Sequence, residues 1–137
     1  MTGDPARSAA LAYRREEVLT ASPVRLVVRV LAGAIGALER ARRHVESGDA
    51  LSGRTEVGRA TGLVAELLGA LDRDRGGDIA ARLDTLYRFV LRRIWGNATR
   101  PDPDALRHAE RILRTVKEGF DVVLASEAGE GRIDGAP

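Results

Sequence analysis

Apolar residues recur at three- and four-residue steps in four separate stretches of this chain, and no stretch alternates apolar and polar residues with β-branched or aromatic enrichment. That periodicity commits the chain to helices. The first stretch opens at Ser22-Pro23, an N-cap residue followed by proline at the first helical position, where a missing N–H costs nothing. From there Leu26, Val27, Val30, Leu31, Ala34, Ile35, Leu38, Ala41 and Val45 share one side, and Gly48-Asp49 supplies the stop.

The second stretch, Leu51 to Asp72, carries a stripe of Val57, Ala60, Val64, Leu67, Leu68 and Leu71, interrupted by Gly53, Gly58, Gly62 and Gly69. Each interior glycine costs up to about 1 kcal/mol of helix propensity relative to alanine, so tertiary packing must hold this helix. After the polar turn "DRDRGGD", a third stripe runs through Ile79, Leu83, Leu86, Tyr87, Val90, Leu91 and Ile94. Asp102-Pro103-Asp104 restarts the chain with a cap, an N1 proline and two carboxylates at the positive helix end. Leu106, Ala109, Ile112, Leu113, Val116, Phe120 and Val123 follow as the fourth stripe.

Four amphipathic helices of similar length joined by short turns pack most simply as an antiparallel up-down bundle. The expected architecture is therefore all-α: an N-terminal arm, partly helical, over residues 1–21, a four-helix bundle over 22–125 and a tail over 126–137. That tail, "SEAGEGRIDGAP", is polar, glycine-rich and without period, and is expected to be disordered.

Composition narrows function mainly by exclusion. Lys+Arg 22 against Asp+Glu 20 leaves a formal charge of +2 with both signs interspersed, which is not the footprint of an electrostatic nucleic-acid binder. With no cysteine, disulfides and thiolate metal sites are impossible. The first residues lack the apolar core of a signal peptide, and Arg29 interrupts the longest apolar run before it could span a bilayer. A cytoplasmic protein with no direct membrane insertion is expected. His44 and His108, the two histidines, fall on different helices and outside any metal-binding spacing. Lys117 has no glycine-rich loop before it, and the Glu-x-x-His pairs of carboxylate-bridged metal bundles are absent. The expectation is a protein that is not an enzyme, with no cofactor and no metal.

The spacing of "VLTASP" to "GAI", then to Gly48-Asp49, and later to "GGDIAARLDTLYRFVLRRI" is the specific signal. From about Tyr13 to Phe120 the chain resembles the flagellin-specific export chaperones of the flagellar secretion system. The matched positions include Tyr13, Ser22, Pro23, Leu26, Gly33, Ile35, Gly76, Gly77, Ile79, Tyr87, Arg92 and Arg93. Departures are Leu31-Ala32 in place of a Tyr-Asp, Asn97-Ala98 in reversed order, Phe120 in place of a tryptophan, and the additional Trp95.

The resemblance implies a bundle that binds the disordered C-terminal segment of flagellin, prevents premature polymerisation and keeps the client competent for type III export. It also implies that the segment around Tyr13 lies over part of the client groove. A second partner, an export-gate component or a flagellar regulatory protein, is left open, and the free chaperone is expected to be a monomer. The first helix independently has more apolar positions than one core-facing stripe needs, since Leu26, Val27, Val28, Val30 and Leu31 cover over half its circumference. Either the preceding arm or the client would cover the excess. The expected partner-binding residues are Tyr13, Val18, Leu19, Leu26, Val27, Val30, Leu31, Tyr87 and Leu91, although Tyr87 reads equally well as a core residue. The alternative reading is a homo-oligomeric helical-bundle scaffold or adaptor with no flagellin client.

Overall fold

The computed structural model describes residues 23–95 and 100–134, with side chains as far as residue 129. Four helices follow one another: α1, Pro23–Glu46; α2, Ala50–Gly69; α3, Arg73–Trp95; and α4, Pro103–Asp134. No strand occurs among the described residues. The helices form an antiparallel up-down ring, in which α1 packs most extensively on α2 and then on α4, while α3 closes the ring through thinner contacts with both. Diagonal pairs are not neighbours.

The local signals work as their chemistry requires. α1 ends in a glycine turn: Gly48 has φ 90°, Gly48 N–H donates to the Val45 carbonyl and Asp49 N–H to that of His44. Asp49 then caps α2 by accepting from the Ser52 backbone N–H at 3.0 Å, and hydrogen bonds from Ser52 hold its carboxyl below the usual range. Asp102 caps α4 in the same manner, accepting from Asp104 N–H at 3.1 Å with Pro103 at the first helical position.

One boundary follows the sequence expectation and one differs. In "DRDRGGD" Asp72 accepts from the N–H groups of Arg75 and Gly76, a single helical turn forms, and Gly77 at φ 51°, ψ −126° breaks it where the glycine turn is expected, ahead of the main part of α3. At the other end the backbone of α4 stays helical to Asp134, past the expected boundary at Ala125. That boundary instead marks where packing stops, because Ser126, Glu127 and Ala128 are exposed. The periodicity ends with the packing, and a helix can outrun the surface it packs on.

The core gathers Leu31, Ile35, Leu38, Val57, Val64, Leu67, Tyr87, Val90, Ile94, Leu106 and Leu113. Alanines at 34, 37 and 41 are fully buried and let neighbouring helices approach α1 closely. Burial of each leucine or isoleucine stabilises the fold by about 1.5–3 kcal/mol. Ile79 and Leu86, expected in the third stripe of the core, are exposed instead, since α3 buries only the sector around Ala80, Tyr87, Val90 and Ile94.

Ion pairs fix the register. Across α1 and α4, Glu39 meets Arg114, Arg42 meets Glu110 at 3.4 Å, and Glu46 meets Arg107 at 3.7 Å, so partners climb one helix as they descend the other. Between α1 and α2, Gly53 sits on Val45, Arg40 Nε lies 3.3 Å from Glu56 Oε1, and Leu63 lies beside Gly33. This oxygen of Glu56 is buried without a hydrogen-bond donor, so the Arg40 contact is Coulombic rather than a directed bond.

Candidate functional site

The α1–α2 register brings the N-terminal end of α1 beside the C-terminal end of α2. There the described residues leave apolar surface uncovered. Leu26, Val27 and Val30 from α1 and Glu66, Leu67 and Ala70 from α2 line a cavity of about 230 Å³. Glu66 also borders a broader, open depression of about 470 Å³ formed by Gly58, Arg59, Gly62 and Leu63. The two share Glu66 as a common border.

Glycine shapes this groove in a way the sequence pattern leaves undecided. A Cβ on Gly53 would lie 2.6 Å from Val45 Cγ2, so that glycine permits close helix approach. At Gly58, Gly62 and Gly69 nothing lies within 4 Å of the Cβ position. These three cost helix propensity without serving the packing of the described bundle. Gly58 and Gly62 leave bare backbone in the wall of the broader depression.

The groove is chemically plain. Arg59 is paired with Glu56 at 3.6 Å, Glu66 has no ion pair among the described residues, and the remaining lining is apolar or glycine. Such a surface can bury apolar side chains and accommodate close backbone approach.

The expected partner residues divide into three groups. Leu26, Val27 and Val30 line the groove, with Leu26 49 % exposed. Leu31 and Tyr87 are core residues with essentially no exposure, and burial pushes the Tyr87 phenol up to about 12. A partner reaches neither in the closed bundle: Leu31 lies one step around α1 from Val30 and turns inward, and Tyr87 lies at the centre of the buried sector of α3. Leu91 is half-buried against the core on α3 and does not line the groove. Tyr13, Val18 and Leu19 fall outside the described residues, as do Ser22 and Asn97-Ala98.

Sequence reasoning missed the α2 side of the groove: Gly58, Gly62, Leu63, Glu66 and Ala70. A signal was present. Gly58, Gly62 and Gly69 fall on one side of a helical wheel, away from the Val57–Ala60–Val64–Leu67 stripe, where a helix that faced only water would have no use for them.

The chain matches the family model described as flagellar protein FliS over residues 6–127. It is similar to the flagellar secretion chaperone FliS of Salmonella typhimurium, 34% identical over 104 residues, covering 75% of this chain and 77% of that protein. Flagellar secretion chaperone FliSB of Pseudomonas aeruginosa is 32% identical over 105 residues, 77% of this chain and 83% of the relative. The Vibrio cholerae flagellar secretion chaperone FliS is 29% identical over 121 residues, 85% and 89% of the two chains.

Proposed function

The chain belongs to the flagellar protein FliS family of flagellar secretion chaperones, and from that membership we propose that it binds the C-terminal segment of flagellin in the cytoplasm. The segment enters the α1–α2 groove, is kept from premature polymerisation, and stays competent for type III export. The observation that carries this reading is the half-exposed apolar wall of Leu26, Val27 and Val30 facing Leu67 and Ala70. An extended or helical apolar segment laid there removes surface from water at about 25 cal/mol per Å², offset by the cost of ordering the segment. Gly58 and Gly62 admit its backbone close to α2.

The arm carrying Tyr13, Val18 and Leu19 precedes Pro23 in sequence, three residues before Leu26, and we propose that it competes with the client for the same wall. Mixing the full chain with the last ~50 residues of flagellin, a length sufficient to wrap helices of this size, and reading mass by light scattering tests the reading. A one-to-one complex from a monomeric chaperone is expected. Self-association with no peptide uptake would establish the scaffold instead.

The arm has its own test in calorimetric titration. Deleting the residues before Val18 strengthens peptide binding if the arm only competes, whereas Tyr13→Ala weakens it by over about 1 kcal/mol if the ring anchors the client. Unchanged affinity in both variants would remove the arm from the site.

A further inference from the structure

The opposite side of the ring carries a second apolar stripe that the client groove does not use. On α3, Ile79, Arg82, Leu86, Phe89 and Arg93 follow one another at alternating steps of three and four, the spacing of a coiled-coil seam. This seam faces outward: Ile79 is 68 %, Leu86 36 % and Phe89 37 % exposed. It borders α4, where the Phe89 ring meets His108 edge-on at 5.7 Å and Arg93 Nε donates to His108 Nδ1 at 3.3 Å. Arg111 lies one turn along α4 from His108, at the level of Leu86, and is exposed.

Arginine predominates over unpaired carboxylates along this seam. Neither Arg82 nor Arg111 has a carboxylate partner among the described residues, and Arg93 is engaged only by the neutral-acceptor nitrogen of His108. Nearby carboxylates are already committed: Asp84 to Arg88 and Arg73, Asp104 to Arg107. Exposed acids on this face are Asp78 at the start of α3, and Asp104 and Glu118 on α4. A heptad-spaced row of apolar side chains flanked by uncompensated guanidiniums is complementary to a helix with apolar a and d positions and acidic flanks.

We propose that the α3–α4 face, through Ile79, Leu86 and Phe89 with Arg82, Arg93 and Arg111, docks an acidic amphipathic helix of a second protein while the α1–α2 groove holds its own client. The stripe spans about 21 Å, which fits a partner helix of about four turns. Because α1 and α3 are not neighbours and α2 and α4 are not neighbours, the two surfaces open on different sides and both can be filled at once.

The probe is a labelled peptide of about three heptads with leucine at a and d and glutamate at e and g, beside a lysine counterpart, measured by fluorescence anisotropy against the full chain. The glutamate peptide binds, and its affinity drops on going from about 50 to about 500 mM salt. The double charge swap Arg82→Glu with Arg111→Glu weakens it by about tenfold and reverses the preference toward the lysine peptide. Ile79→Ser, at the most exposed point of the seam, weakens both peptides while circular dichroism stays unchanged. A saturating flagellin C-terminal peptide leaves glutamate-peptide binding intact. Equal binding of the two peptides by the wild type, no effect of the swap, or displacement by the flagellin peptide would each overturn the proposal. The last result would assign the face to the client, and it leaves the reading of the α1–α2 groove standing.

Discussion

The two halves of α1 have much the same apolar density and opposite fates. From Ala34 to Val45 every core-facing residue is buried: Gly53 lets α2 close on Val45, and the Arg114, Glu110 and Arg107 side chains of α4 meet Glu39, Arg42 and Glu46 over the seam. From Pro23 to Val30 the same helix leaves Leu26 half-exposed and Val27 and Val30 lining an open groove. Apolarity alone therefore does not separate core from binding surface. What separates them is whether a neighbouring helix supplies a matching wall or, as with Gly58 and Gly62, withdraws it.

The contrast is sharpest under truncation. Leu38→Ala in the closed half removes a fully buried side chain and is expected to cost about 2–5 kcal/mol in denaturant unfolding. Leu26→Ala in the open half is expected to cost under about 1 kcal/mol, because that side chain already meets water. Equal losses would erase the distinction between the halves.

Glycines on α2 supply a test with opposite signs. Gly53→Ala drives a methyl into Val45 and is expected to destabilise by about 1–3 kcal/mol. Gly62→Ala meets nothing and is expected to stabilise by up to about 1 kcal/mol through helix propensity, while obstructing the client. A Gly62→Ala protein that is both more stable and fully competent for binding would show that the glycine wall has no part in the site.

Alkali gives the smallest effect at neutral pH. Burial holds the Tyr87 phenol at about 12 against an ordinary 10.0, so the folded state keeps this proton longer than the unfolded chain. Its contribution is complete below pH 10 and declines as pH rises through about 12. Alkaline unfolding followed by circular dichroism, with Tyr87→Phe as the control that lacks the ionisable group, checks the sign: the variant should resist alkali better than the wild type.

Much of the fold was legible because its signals are local. Gly48-Asp49 marks a turn that a positive φ requires, and Asp102-Pro103 caps α4 as its chemistry dictates. The site was legible only on one wall. Leu26, Val30 and Leu31 belong to the same stripe, and their different exposures depend on which neighbouring side chains close over them, which periodicity does not encode. Ile79 and Leu86 shared the spacing of Tyr87 and Val90 for the same reason, yet the bundle buries a narrower sector of α3 than the stripe covers. Gly77 was readable as a turn signal and breaks the helix there, while the single helical turn before it depends on Asp72 capping.

The central claim is that the open half of α1 is the client's seat. Calorimetric titration of the flagellin C-terminal segment into the wild type, Leu26→Asp and a control placed on the far side of the ring, Ile79→Ser, tests it most directly. A carboxylate set into the apolar wall must be desolvated when the segment docks, so Leu26→Asp should lower affinity at least about tenfold while Ile79→Ser leaves it unchanged. Wild-type affinity in Leu26→Asp, or a loss confined to Ile79→Ser, would contradict the account.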